Sequence, residues 1–486
     1  MKTKSVKFNF IMNLILTASS FLFPLITFPY VSRVLLVEGN GIVSFVTSVM
    51  TYFMMFASLG IPTYGIRACA AVRNNKEKLS KTVQELLLIN IFTTSIVSVF
   101  FIGSIFLVPQ FAEQKTLFLI NGISLVLNAI GVNWLYSALE QYSYITIRSL
   151  IFKIISIVLM FVFVKNADDY IIYGAILIIA TGGSNVMNFI NLRKFISFKH
   201  TGKYDFKQHM KPIFVFFGTS AAISIYTNLD VVMLRFIQDN IAVGYYNAGI
   251  KVKTVLISLV TSLGTVLLPR LSFYIEEKKI DEFKRLIVKA IGFVLLISLP
   301  IVIYFTMFAK EAILLLSGEA FLGAVLPMQL LMPTVMLIGL SNITGLQVLV
   351  PLKKENKLLI SIVCGAVVDF ILNIFFIKYW GASGAALSTL IAELIVLIVQ
   401  CIYLRKDFIS ILKQIDILKI VIPTIIATAI TFGVSFFVTG VFVKLLITAV
   451  VFFSVYGVLL LILKESFIME YIIPLFQKLI KKVLKK

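Results

Sequence analysis

Residues 290–309 read AIGFVLLISLPIVIYFTMFA, twenty positions without a charged side chain, bounded by Lys289 and Lys310. A helix of that length rises about 30 Å, the thickness of the hydrocarbon layer of a bilayer. A strand of an outer-membrane barrel needs only about 10 residues and alternates apolar with polar, which this run does not do. Runs of the same kind recur along all 486 residues, of which 59% are hydrophobic and 14% charged, with a mean hydropathy of +1.01. So few charges cannot coat a soluble protein of this size. The fold class that follows is an all-α integral membrane protein. It has about fourteen transmembrane helices, near 8–34, 41–60, 83–108, 116–138, 148–164, 170–191, 212–236, 242–269, 286–309, 323–350, 358–377, 382–404, 418–438 and 443–463.

The net charge of +21 would suit a nucleic-acid partner, but its distribution points to a bilayer. With the N-terminus inside, the segments between helices on the inner face hold 35 of the 44 Lys and Arg residues, Arg148 and Lys153 counted among them. That is the positive-inside pattern, and an even number of helices puts both termini in the cytoplasm. The basic start, Lys2 to Lys7, leads into an apolar stretch too long for a cleaved signal, so it is a retained first helix. Cys69, Cys364 and Cys401 lie in or beside apolar runs and are packing residues, not a disulfide or metal set. His200 and His209 fall in an inner loop. Short outer loops such as 165–169 leave no room for a catalytic domain, and no phosphate-binding GxxxxGK[ST] or dinucleotide motif occurs. These features exclude ATP hydrolysis by this chain, and energy must come from an ion gradient, the membrane potential or a downhill substrate.

The first twelve helices look duplicated. Leu192-Arg193-Lys194 closes the sixth and Leu404-Arg405-Lys406 the twelfth; Gly174 opens the sixth and Gly384 the twelfth. Two pseudo-symmetric six-helix halves, 1–211 and 212–417, both start inside and are therefore parallel repeats. Helices 13 and 14 (418–463) are an addition. The tail, 464–486, alternates apolar residues with Lys478, Lys481, Lys482, Lys485 and Lys486, the pattern of a basic amphipathic helix on the inner leaflet.

Polar residues mark the faces that cannot lie in lipid. In 242–269, Asn247, Lys251, Thr254, Ser258, Thr261 and Thr265 fall on one face. Lys251 sits about 13 Å in from the outer end, where a charge costs about 3 kcal/mol on insertion scales. It faces water or an anion, or else pairs with Asp230. Lys253 lies on another face. The first helix carries Asn13, Thr17 and Ser20, the second Thr47 and Thr51; such stripes line a cavity or bond helix to helix. Pro24 and Pro29 interrupt the first helix. Arg33, near its end, either snorkels to the interface or binds phosphate with its planar fork; Arg235 ends the seventh helix. Asp230, Asp369 and Glu393 are membrane carboxylates, either structural or parts of a proton or sodium path.

Phe28-Pro-Tyr-Val-Ser-Arg-Val-Leu35, Glu38-Gly-Asn-Gly41, Tyr226-Thr-Asn-Leu-Asp230, Val243-Gly-Tyr-Tyr-Asn-Ala-Gly-Ile-Lys251 and Trp380-Gly-Ala-Ser-Gly-Ala-Ala-Leu387 together make the chain resemble polysaccharide flippases of the Wzx family. That family shares a superfamily, MOP, with MATE multidrug exporters and lipid II flippases. The sequence departs from the family at Asp369, where a neutral residue such as Asn is expected. The resemblance implies a bacterial inner-membrane flippase, not an enzyme. It would move undecaprenyl-pyrophosphate-linked oligosaccharide repeat units from the inner to the outer leaflet by alternating access. Its partners would be the lipid-linked oligosaccharide, the phospholipid bilayer, and a polysaccharide polymerase with its chain-length regulator. No cofactor is implied beyond a coupling proton or sodium ion. On this reading a wet cavity between the halves, lined by Arg33, Lys251, Arg235 and Lys253 with the hydroxyl stripes, holds the headgroup. The rival readings are a MATE-type exporter, which handles cations that such a cavity repels; a flippase for lipid II or a teichuronic acid precursor; and a glycan polymerase or ligase, which would need a large outer loop.

Overall fold

The computed structural model describes residues 6–199, 202–405 and 414–474; the side chains of residues 6, 7, 10, 21, 263, 265, 266, 471 and 472 are outside that description. His200, the Thr265 side chain and the lysines of the tail from 475 onward therefore lie outside the described residues. Within them the chain is helical and contains no strand. The helices are α1 (Val6–Ser58), α2 (Ile61–Val72), α3 (Lys76–Leu107), α4 (Pro109–Glu113), α5 (Lys115–Ala129), α6 (Asn133–Ala138), α7 (Tyr142–Phe163), α8 (Tyr170–Ile178), α9 (Ser184–Leu192), α10 (Lys207–Ile237), α11 (Asn240–Glu276), α12 (Ile280–Met307), α13 (Ala309–Ser317), α14 (Val325–Asn342), α15 (Glu355–Tyr403), α16 (Leu418–Ser435) and α17 (Val441–Ile462), with π-helical segments at Ile179–Gly183 and Ile343–Leu349.

Among the described residues, eleven helical stretches are long and apolar enough to cross a membrane, or twelve with α11, which bends by 41° between Asn240–Ser262 and Leu267–Glu276. Fourteen is not the number these stretches give as they stand. Two of them contain α1 and α15, of 53 and 49 residues, far beyond the roughly 20 that one crossing needs. Both are broken inside. Leu36 leaves helical geometry at φ 55°, and Asn40 Nδ2 takes up the freed Leu36 carbonyl at 2.7 Å. Gly381, at φ 51°, breaks α15 in the left-handed region that glycine enters without strain.

The chain forms two compact units, Met1–Asn247 and Ala248–Lys486. In the first unit α2 was expected to be inner loop. It forms because Ile61, Gly65 and Cys69 recur every four residues and bury one face, after Pro62 at its first turn. Its core partners include Leu86, Trp134, Tyr136 and Ile213. Glu85 and His209 are both buried and staple the chain before α10 onto α3: Glu85 Oε2 lies 2.9 Å from His209 Nε2, Glu85 Oε1 accepts from the Asp205 amide at 2.7 Å, and Tyr64 Oη lies 2.8 Å from His209 Nδ1. Gly41 is a close-approach position, since a Cβ there would lie 1.8 Å from the Asn240 carbonyl oxygen. In the second unit α16 and α17 pack on α12 through Leu296, Tyr304, Phe308, Ile420, Phe452 and Tyr456. The Tyr304 and Tyr456 hydroxyls donate to the carbonyls of Leu445 and Leu296, both at 2.8 Å.

Candidate functional site

A cavity of about 700 Å³ lies inside the first unit. Its walls come from α1, α5, α7 and the α8–α9 stretch, with Asn133 at the start of α6. Thr47 and Thr51 present α1, and Asn121, Ser124 and Asn128 present one face of α5 at spacings of three and four. Two cations project from α7, Arg148 and Lys153. Among the described residues lining the cavity there is no Asp or Glu.

Arg148 is the centre of this arrangement. It is 5% exposed, Nη2 donates to Asn133 Oδ1 at 2.9 Å, and the guanidinium lies 5.2 Å from the centre of the Tyr144 ring. Its Nε and Nη1 have no hydrogen-bond partner among the described residues, and no carboxylate lies within ion-pair distance. The anchor has a backbone origin. Helix α5 stops at Ala129 and α6 starts at Asn133, with Val132 between them at φ 39°. The break frees the Gly131 carbonyl, which Asn188 Nδ2 takes at 2.5 Å while also donating to Asn133 Oδ1 at 2.8 Å. Asn133 Nδ2 in turn donates to Asn185 Oδ1 at 3.2 Å. One asparagine oxygen, Asn133 Oδ1, thus holds Nη2 of the guanidinium, and Nε and Nη1 are left without a partner among the described residues. An uncompensated buried charge costs several kcal/mol, and an anion in the cavity would compensate it. A planar fork suits the oxygens of phosphate or carboxylate.

Lys153 is half-buried, and its Nζ donates to Ser19 Oγ at 2.8 Å and Ser20 Oγ at 3.1 Å on α1. Neither Arg148 nor Lys153 is an inner-face loop residue. The sequence reading began this helix at 148; it begins at Tyr142, which carries both cations into the span. The Tyr142-Ser-Tyr-Ile-Thr-Ile147 start reads as polar and aromatic and disguises the first turns. The usable signal was the 121, 124, 128 polar face of the neighbouring helix.

The residues expected from sequence are distributed differently. Thr47 and Thr51 line the cavity, their hydroxyls returning to the Val43 and Thr47 carbonyls at 2.8 and 2.9 Å. Ser20 joins through Lys153. Asn13 and Thr17 are exposed on α1 and are not among the lining residues. Arg33 is exposed and donates to the Pro29 carbonyl at 2.6 Å. Arg235 forms an ion pair with Glu113 and lies 6.0 Å from the centre of the Phe45 ring. Asp230 is buried and accepts the Tyr246 hydroxyl. In the second unit Lys251, Lys253 and Ser258 are half-buried, as is Asn247 at the end of the first. The Thr254 and Ser258 hydroxyls bond the Ile250 and Val255 carbonyls at 2.8 and 2.6 Å. Lys251 has no ion pair among the described residues. Asp369 is buried and accepts from Asn373 Nδ2 at 3.2 Å, and Glu393 is buried on the same helix.

Comparison with known proteins places this geometry. The fold is similar to that of the lipid II flippase MurJ in an inward closed conformation, with a TM-score of 0.75 over 93% of this chain and 98% of that one, at 17% identity. It is also similar to a MATE family multidrug transporter of the MOP superfamily in an inward-facing conformation, with a TM-score of 0.63 over 83% and 99% of the two chains, at 15% identity. In sequence, the chain is 24% identical over 408 residues (83% of this chain, 97% of the relative) to a protein of Escherichia coli (strain K12) named "Putative O-antigen transporter". A Shigella dysenteriae protein of the same name is 24% identical over 401 residues, 81% and 98% of the two chains. Residues 6–275, more than half of the chain, match the model of one family, and the chain belongs to it: the polysaccharide biosynthesis protein family.

Proposed function

We propose that this chain is a flippase of the bacterial inner membrane that carries undecaprenyl-pyrophosphate-linked oligosaccharide repeat units from the inner to the outer leaflet. The observation that carries this reading is the cavity of the first unit, which is large and holds two cations, asparagines and hydroxyls, with no Asp or Glu among its described lining residues. Such a cargo has an anionic diphosphate and a hydroxyl-rich glycan, neither of which crosses hydrocarbon unaided. Arg148 and Lys153 suit the phosphates, and the asparagine, serine and threonine lining suits sugar hydroxyls. Family membership and the names of the two curated relatives support the glycan side of the reading. The chain acts as a transporter, not an enzyme, and works by alternating access between two parallel six-helix halves, 1–211 and 212–417. Both termini lie in the cytoplasm. Asp230, Asp369 and Glu393 are the groups that would couple the cycle to protons or sodium, and Lys251, Lys253, Arg33 and Arg235 are further cations along the cargo's route. A polymerase with its chain-length regulator would receive the cargo. Export of organic cations, the MATE-type activity, is disfavoured because the two cavity charges repel them.

Deletion of the protein is the test. The expected result is loss of surface polysaccharide with accumulation of the lipid-linked precursor in the inner leaflet, restored by the wild-type chain. Normal surface polysaccharide together with raised sensitivity to cationic drugs would replace this reading by the exporter.

A further inference from the structure

Arg148 is held by a neutral side chain at a place where a carboxylate would hold it more tightly. Asn133 Oδ1 takes two donors, Arg148 Nη2 at 2.9 Å and Asn188 Nδ2 at 2.8 Å. A guanidinium can only donate, so the Asn133 atom facing it is the oxygen. The rest of the cradle is neutral too. The Tyr144 ring, 5.2 Å from the guanidinium, stacks on Tyr136 with centroids 5.0 Å apart. The hydroxyls of Tyr144 and Tyr136 donate to the Met187 and Asn188 carbonyls at 3.0 and 2.6 Å, which ties both rings to α9.

Other cations of the chain are treated differently. Arg235 and Lys444, both half-buried, meet Glu113 and Glu311, the second pair at 2.9 Å. Arg148 is buried more deeply than either and receives an amide. Aspartate has nearly the size and shape of asparagine and would fit the same space. With a carboxylate there the ion pair would be closed and the charge cancelled within the protein. With Asn133 the hydrogen bond fixes the guanidinium, while its charge and its Nε and Nη1 groups stay available. Asn133 and Arg148 both line the cavity.

We propose that Asn133 is a specificity-determining positioning residue, which orients Arg148 in the cavity without neutralising it and so keeps the charge for the phosphate oxygens of the cargo. This rests on the reading of the cavity as the headgroup site. It adds that selection for an anion depends on the residue beside Arg148 being uncharged, and not on Arg148 alone.

Calorimetric titration of the full chain in detergent with farnesyl diphosphate, beside farnesol as the uncharged control, tests it. The wild type should bind the diphosphate, and Arg148→Ala should weaken binding about 30-fold or more. Asn133→Asp keeps the size and the accepted hydrogen bonds, because Asn185, whose Oδ1 now accepts from Asn133 Nδ2 at 3.2 Å, can turn its amide to donate to the second carboxylate oxygen. It should nevertheless lose as much affinity as Arg148→Ala. Asn133→Ala deletes the bond but leaves Arg148 charged, and should lose only about tenfold. Asn133→Asp should also melt above Asn133→Ala, since it gains the ion pair. This order of affinities is the signature, because an asparagine of merely structural use predicts the reverse. Asn133→Asp binding as well as Asn133→Ala or better, or melting below it, would overturn the inference and leave the cavity reading in place. A wild-type chain without preference for the diphosphate over farnesol, or Arg148→Ala binding it as the wild type does, would overturn both.

Discussion

From Leu192 to Leu404 is an offset of 212 residues, and Asn188 and Gln400, buried amides at that offset, make different bonds in the two units. In the first unit the helix breaks around Gly131, and Asn188 fills the freed carbonyl. In the second, Ile343 begins the π-helical segment, and Gln400, at the position of Asn188, accepts from Thr344 Oγ1 at 2.5 Å and donates to Ser361 Oγ at 3.1 Å. Asn188 takes up a backbone carbonyl, whereas Gln400 bonds two hydroxyl side chains. The charges are not repeated. Arg148 and Lys153 correspond to Ile360 and Gly365, while Thr181 and Ile157 correspond to Glu393 and Asp369. The first unit holds two cations in a cavity of about 700 Å³ and buries Glu85 and Asp230, and the second buries Asp369 and Glu393. The comparison teaches that buried amides and buried charges are placed differently in the two units.

The sharpest way to break that contrast is Arg148→Ala. Removing one partner of a buried charged contact costs about 2–5 kcal/mol, a loss of roughly 30-fold or more in cargo affinity. Transport of a fluorescent lipid-linked glycan into the protected leaflet of proteoliposomes should fall accordingly. Arg148→Lys should recover part of it, since it keeps the charge but not the fork. Wild-type flipping by Arg148→Ala would mean that the cations do not set the two units apart in function.

Next in size is Gly41→Ala in the first unit. The added methyl would lie 1.8 Å from the backbone oxygen of Asn240, a group that cannot rotate away. We expect a loss of about 3 kcal/mol or more and little folded protein in the membrane fraction. A variant that accumulated and melted normally would show that this contact gives way more easily than its geometry implies.

A paired change then tests whether the two amides are equivalent. Asn188→Leu and Gln400→Leu should each lower thermal stability by about 1–3 kcal/mol, because each leaves a buried polar group without its partner. Only Asn188→Leu should also slow transport, since Asn188 shares Asn133 Oδ1 with Arg148. Equal transport in the two variants would separate Asn188 from the anion site.

Much of this architecture was legible in the chain. The apolar runs and the polar faces at helical spacing identify a helical membrane protein of many spans, because hydropathy and period survive without any knowledge of contacts. The cavity was legible only in part. Thr47, Thr51 and Ser20 were singled out by their spacing and lie at or beside it. Arg33 and Arg235 drew attention because isolated arginines in apolar sequence stand out, yet Arg235 meets Glu113, 122 residues away, a pairing no local pattern encodes. Arg148 and Lys153 were missed for the opposite reason. They sit near a helix start, where cations are common on the inner face, and whether such a residue is inside a span depends on one and a half turns of uncertain boundary. Asn188 could not be read at all, because its partner is a carbonyl freed by a break in another helix.

The smallest expected effect returns to glycine, now in the second unit. Gly292 lies inside α12, and a Cβ there meets nothing within 4 Å. Gly41 and Gly292 are thus the same residue for unrelated reasons: one because backbone passes against it, the other without any contact that requires it. Alanine lowers the conformational entropy of the unfolded chain and favours helix, so Gly292→Ala should raise stability by about 0.5–1 kcal/mol, read as a small upward shift of the melting temperature in detergent. Transport should stay at the wild-type level, since Gly292 does not line the cavity of the first unit. A fall in stability would show that α12 must flex at this point, and the second unit would then have a moving part where the first has a fixed one.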